Sequence, residues 1–238
     1  MSLIEKFEKV LKLQTAIDPV EKPYESKYEA RNIINELIKE VDESQGALLG
    51  GLYITQGIID IDVEELSIGE INLLKGLDYL SDVDDRSKVI IQEIKVLNQL
   101  GILWCLREDY EKAYLYLNRS LESYTNYIDG HLKEFLFEII DLFETTKESP
   151  KFEEKERVLE LLNTHTHYYL AQVYEKTGKP DKSAKSCHIT LSKQLELKEF
   201  QHLDWSTNAA MLSQHYLANE DYGTTKRHLI ASSVMLDR

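Results

Sequence analysis

The stretch Tyr168-Tyr169-Leu170-Ala171-Gln172-Val173-Tyr174 decides the fold. Read from Leu170, it gives a large residue, a small one (Ala171) and an aromatic (Tyr174), followed by a turn glycine (Gly178) and then Ser183, Cys187, Thr190 and Leu191. A second copy starts at Leu212, with Ser213, Tyr216, Tyr222, Thr225, Leu229 and Ser232 at the corresponding offsets. This is tetratricopeptide spacing: large, small and aromatic residues on a first helix, small and large residues on a second. The small residues let the two helices approach, and the large ones fill the space between them. Residues 163–236 therefore predict two consecutive helical hairpins. The fold class is all-α, a tetratricopeptide-like α-solenoid of antiparallel helical hairpins.

The chain before this stretch repeats the plan. Lys88 to Tyr127 is the cleanest copy, marked by Leu97, Leu100, Gly101 and Trp104, then Tyr110, Ala113, Leu117, Ser120 and Leu121, with Arg107-Glu108-Asp109 as the turn. Gly46 to Ile59 and Val63 to Leu80 form a more degenerate hairpin, with Gly57, Gly69 and Gly76 where small residues are wanted. Ahead of it, Leu3 to Leu13 and Lys27 to Val41 read as amphipathic helices separated by a segment with two prolines, Pro19 and Pro23. A helix is expected around Leu132 to Phe143, then a mobile linker near residues 145–151, and a long helix from Glu153 to Lys176. The expectation is one domain over residues 1–238, with roughly four hairpins and extra N-terminal helices. The copies recur at uneven intervals, wider than the ~34 residues of a standard repeat. Stacked repeats need capped ends, yet Ile230, Val234, Met235 and Leu236 are left to be covered. Either this end pairs with something or the chain is part of a longer one.

Composition narrows the function. The 238 residues are 42% hydrophobic and 29% charged, with a formal net charge of −14. That charge argues against a nucleic-acid binder, which wants a basic face for phosphates. It suits either plain solubility or a partner with a basic surface. No run of about 18 apolar residues predicts a membrane span, and the charged N-terminus predicts no signal peptide. Cys105 and Cys187 fall inside predicted helices and make no disulfide framework. The expected setting is cytoplasmic, and the expected state is a monomer.

No catalytic or metal constellation emerges. His165 and His167 point to different faces of one helix, and the other histidines are scattered, without zinc spacing. Asp60, Asp62, Glu64 and Glu65 lack the glycine and the terminal glutamate of a calcium loop, and read as a solvated acidic turn. There is no phosphate-binding glycine loop and no nucleophile elbow. The expectation is a non-enzyme without cofactor or metal.

What remains is a binding surface. In stacked hairpins the first helices line the inner face. Residues flanking the packing markers point there: Asn98 and Ile102; Tyr168, Tyr169, Gln172 and Glu175; Ala210, Met211 and Gln214. These could dock a folded surface or a helix, or could pad the seams between repeats. They lack the basic cluster that would grip a peptide's C-terminal carboxylate.

The sequence also resembles a known family, the kinesin-binding protein (KIF-binding protein) family. Asn98-Gln99-Leu100-Gly101-Ile102-Leu103-Trp104 followed by Arg107-Glu108 resembles its NxLGILW-xxRE signature. Tyr168 to Tyr174, Cys187 to Leu191, Gln194-Leu195, Trp205, Asn208-Ala209-Ala210 and Leu212-Ser213-Gln214 resemble the family in order and spacing. Weaker matches run from Glu21 to Arg31 and from Glu64 to Leu74. The resemblance implies an α-solenoid that clasps kinesin motor domains and blocks their microtubule attachment, so it would affect microtubule-based transport in association with the cytoskeleton. It implies motor-facing groove positions at Tyr169, Gln172 and Gln194, and at Met211, where relatives carry threonine. Family members are longer, and this chain resembles their N-terminal half. The partner-binding set is thus Tyr168, Tyr169, Gln172, Gln194, Met211 and Gln214. The alternative is a general tetratricopeptide-type peptide-binding scaffold.

Overall fold

A computed structural model describes residues 1–130, 136–143, 152–197 and 202–237. Among these residues every regular element is helical. The helices are α1 (Leu3–Gln14), α2 (Glu25–Glu40), α3 (Gly46–Asp62), α4 (Leu66–Ser81), α5 (Ile90–Leu106), α6 (Tyr110–Asp129), α7 (Phe152–Lys176), α8 (Pro180–Leu197), α9 (His202–Ala218) and α10 (Tyr222–Leu236). Short 3-10 helices cover Arg86–Lys88 and Ile139–Phe143. Within the described residues, no helix is long and apolar enough to cross a membrane.

Four hairpins, α3/α4 through α9/α10, share one turn. Glu64, Glu108, Gly178 and Glu220 sit at its left-handed position, with φ of 65°, 59°, 69° and 60°. The next residue's N–H then reaches back to a carbonyl near the end of the first helix: Glu65 to Asp60, Asp109 to Trp104, Lys179 to Tyr174 and Asp221 to Tyr216, at 2.8–3.0 Å. These bonds satisfy carbonyls that the end of a helix leaves open. The second helix is then capped from the turn: Asp109 accepts from Lys112 N–H at 3.1 Å and Asp221 from Thr224 N–H at 3.0 Å.

Within the α3/α4 hairpin the backbones nearly touch. A Cβ at Gly57 would lie 2.9 Å from the carbonyl oxygen of Gly69, and one at Gly76 the same distance from that of Gly50. The sequence's glycine markers are therefore points of backbone contact, as small repeat positions should be. Successive hairpins stack: α3 meets α5, α5 meets α7, and α4, α6 and α8 each meet the first helix of the next pair. Continuous apolar clusters result, from Phe7, Ile34 and Leu52 at one end to Ala171, Cys187 and Leu212 at the other.

Two expectations are corrected. The helix anticipated over Leu132–Phe143 is absent from its described part: residues 136–138 are irregular and 139–143 form a 3-10 helix. The backbone there is committed elsewhere. Phe137 N–H donates to Ser87 O at 3.2 Å. The Gln92 amide, oriented to satisfy both of its contacts, donates to Phe137 O at 3.3 Å and accepts from Ile139 N–H at 3.0 Å. The linker anticipated near 145–151 lies outside the described residues. The acidic turn is not solvated at its start, since Asp60 is fully buried. Asp60 Oδ2 accepts from Asn72 at 2.7 Å, and its Oδ1 lies 2.9 Å from Arg31 Nε, unaligned for a hydrogen bond. Arg31 also grips Glu65 with both terminal nitrogens, at 3.1 and 2.8 Å, tying α2 to the first hairpin's turn. Burial outweighs these partners and holds the Asp60 carboxyl above its usual range.

At the far end, Leu229, Ile230, Val234 and Leu236 of α10 are about half exposed, while Met235 packs against the last apolar cluster. The uncovered face read from the sequence is present, with Met235 withdrawn from it.

Candidate partner-binding groove

Helix α7 carries the groove because its faces are divided by use. Leu159, Leu170, Ala171 and Val173 are buried against the neighbouring hairpins. Thr166 sits in a polar seam: its Oγ1 donates to Asn98 Oδ1 at 2.8 Å and meets Ser120 Oγ at 3.2 Å, while Asn98 Nδ2 donates to Leu162 O at 2.9 Å. Asn98 is 3% exposed. The sequence reading placed it on the inner face; instead its amide is spent pinning α5 to α7, because a buried threonine hydroxyl and a helix carbonyl with a spare lone pair satisfy it there. Ile102 remains partly exposed.

The remaining face of α7 presents Tyr168, Tyr169 and Gln172. The two rings meet edge to face, with centroids 5.0 Å apart and planes at 85°, a favoured aromatic geometry. The Tyr168 hydroxyl donates to Asp204 Oδ1 of α9 at 3.4 Å. Burial, and next the Asp204 charge, push the Tyr168 phenol up to about 12, with the Gln172 amide opposing. Burial and the same carboxylate also raise Tyr169, which packs against the apolar cluster that Trp104 and Cys105 of α5 also flank. Tyr169 thus stands at the meeting of α5, α7 and α9, half inside the stack and half facing out. The structure brings together two rings, an amide and a carboxylate, a patch with an apolar floor and negative charge.

The other expected positions are placed differently. Met211 lies seven residues beyond Asp204 on α9, partly buried and packed on the last apolar cluster. Gln214, one turn further, is exposed. Gln194 belongs to α8, the second helix of its hairpin, and is only 5% exposed. Its Oε1 has no hydrogen-bond partner among the described residues. Sequence reading missed Asp204. It belongs to the next hairpin, 36 residues from Tyr168, and only stacking reveals the contact. Its place in the first turn of α9 carries no distinguishing motif.

Comparison with known proteins places this arrangement. No protein-family model matches the chain. Among curated proteins, the KIF-binding protein of Danio rerio is 31% identical across 98% of this chain, and that of Homo sapiens 33% identical across 97%. The Drosophila melanogaster protein is 30% identical across 98%. The chain is a relative of the KIF-binding proteins. It spans 44% of the length of the zebrafish member and 43% of the human one, so less than half of those members has a counterpart here. Solved structures bear on the fold alone. BtubC (BKLC) from P. vanneervenii superposes with a TM-score of 0.65 at 13% identity, covering 99% of this chain and 89% of its own. A Podosopora anserina protein with nearly identical TPR-like repeats superposes at 0.59 and 9% identity, covering 99% of this chain and 96% of its own. This KIF-binding protein relative is therefore a tetratricopeptide-like solenoid.

Proposed function

We propose that this chain binds kinesin motor domains through the face built by α7 and α9, and that binding covers the surface by which a motor attaches to microtubules. The observation that carries the reading is similarity, across 97–98% of this chain, to proteins named for KIF binding. The site chemistry supports it. Tyr168 and Tyr169 form an aromatic patch beside Asp204 on a chain of net charge −14. A basic track-binding surface would meet that patch with complementary charge, which speeds encounter and fixes register. The action is steric and non-enzymatic: occupancy excludes the track, and no bond is made or broken. The setting is the cytoskeleton.

In this reading Tyr169 is the aromatic anchor, Gln172 supplies hydrogen bonds, and Gln194, whose acceptor is buried and unpaired, turns outward to take a donor from the partner. Tyr168 and Gln214 extend the contact on either side, and Met211 contributes apolar surface. Replacing Tyr169, Gln172 and Gln194 together with alanine is expected to weaken motor binding by on the order of 2–4 kcal/mol, the range of interface hot spots. Surface-bound motor domains and circular dichroism check this together. Unchanged affinity with an unchanged helical signal would remove the groove from the account. A panel of linear peptides separates the alternative of a general peptide scaffold, which would prefer peptides to a folded motor.

A further inference from the structure

A second, chemically different site lies in the N-terminal half of the array. A half-enclosed cavity of about 240 Å³ opens between α3, α5, α7 and the segment 138–140, with Leu11 of α1 at its edge. Ile54, Ile91, Ile140, Val158 and Leu162 give it apolar walls. Four polar side chains also line it, and three of these are used within the protein. Thr55 Oγ1 donates to Gly51 O at 2.9 Å. Gln92 holds the backbone of Phe137 and Ile139. Glu138 accepts from Lys155 at 3.1 Å, and the same ammonium holds Asp141 at 3.0 Å.

The fourth is Lys95. Among the described residues it makes no hydrogen bond or ion pair. The carboxylate whose field reaches it is Glu138, which Lys155 already holds. Burial depresses the Lys95 amine below the ordinary lysine value. Lys95 is partly exposed at this half-enclosed cavity, so its ammonium is incompletely hydrated, and a ligand that brings an anionic acceptor relieves the cost of that burial. At roughly 30 Å³ per water-sized group, the space takes on the order of eight such groups.

We propose that this cavity binds a medium-chain monocarboxylate, its carboxylate on Lys95 Nζ and its alkyl chain along Ile54, Ile91, Val158 and Leu162. A neutral alcohol of the same length would fill the walls but leave the ammonium uncompensated. An alkylamine would set like charges together. The site shares no residue with the α7/α9 groove and does not depend on kinesin binding.

Calorimetric titration of the 238-residue chain with octanoate, octanol and octylamine tests this, beside the same titrations of Lys95→Met. Octanoate is expected to bind at least tenfold more tightly than octanol, octylamine not to bind, and Lys95→Met to lose the preference for octanoate. Equal affinity for octanoate and octanol, undiminished octanoate binding by Lys95→Met, or no binding would overturn the proposal. If Lys95→Met fails to fold by circular dichroism, the preference of the native chain for octanoate over octanol and octylamine decides alone.

Discussion

At the scale of single residues, the account turns on one hydroxyl. Tyr168 is held protonated by burial and by Asp204, its phenol pushed up to about 12 against an ordinary value of 10.0. A folded value above the unfolded one means the fold prefers the proton. This contribution to stability is therefore complete below pH 10 and disappears as pH rises through 12. A difference measurement isolates it among the 14 tyrosines. At pH 10.5 the tyrosinate absorbance of the native chain should be unchanged by Tyr168→Phe, whereas in urea it should fall by one residue's share. A full residue's loss in the native state would mean that Tyr168 is solvated and that the patch is not assembled as described. Half of this site could be read from the chain. Tyr168, Tyr169 and Gln172 are marked by their offsets from the repeat's packing residues. Asp204 and the burial of Gln194 are products of stacking, which no local spacing encodes.

At the scale of elements, the hairpins were legible because their contacts rest on residue size. Gly57, Gly69 and Gly101 stand where a side chain would collide with the partner helix, and size is visible in a sequence. The turns were less legible. Three of the four carry glutamate at a left-handed position that favours glycine, so residue type marks only Gly178, while Arg107-Glu108-Asp109 and the acidic turn are placed by the helices on either side. The segment 136–143 was misread because its apolar residues suggest a helix while Gln92 and Ser87 take its backbone bonds. The acidic turn misled in the opposite sense, since four carboxylates in six residues look solvated until Arg31 arrives from α2. That last element contact is testable. Arg31→Met leaves Asp60 buried with Asn72 alone beside it, and removing one partner of a buried pair costs about 3–5 kcal/mol. Urea unfolding should show that loss, and adding Asp60→Asn should recover most of it, because the uncompensated charge is then gone. A double variant no more stable than Arg31→Met would mean the pair does not act as a buried charge couple.

At the scale of the whole molecule, the stack converts these local choices into one inner surface. The first helices α3, α5 and α7 touch in succession, and the Tyr168–Asp204 hydrogen bond joins α9 to α7, so the patch continues that face. The chain carries net charge −14, and its field extends the patch's own sign beyond contact distance, screened over about 8 Å at physiological salt. Motor binding should accordingly weaken as salt is raised. The central claim is that occupancy of this face and microtubule attachment exclude each other. Microtubule co-sedimentation of a panel of kinesin motor domains, with and without the chain, tests it most directly. Bound motors should leave the pellet and appear in the supernatant in complex with the chain. Motors that bind the chain yet stay in the pellet would contradict it.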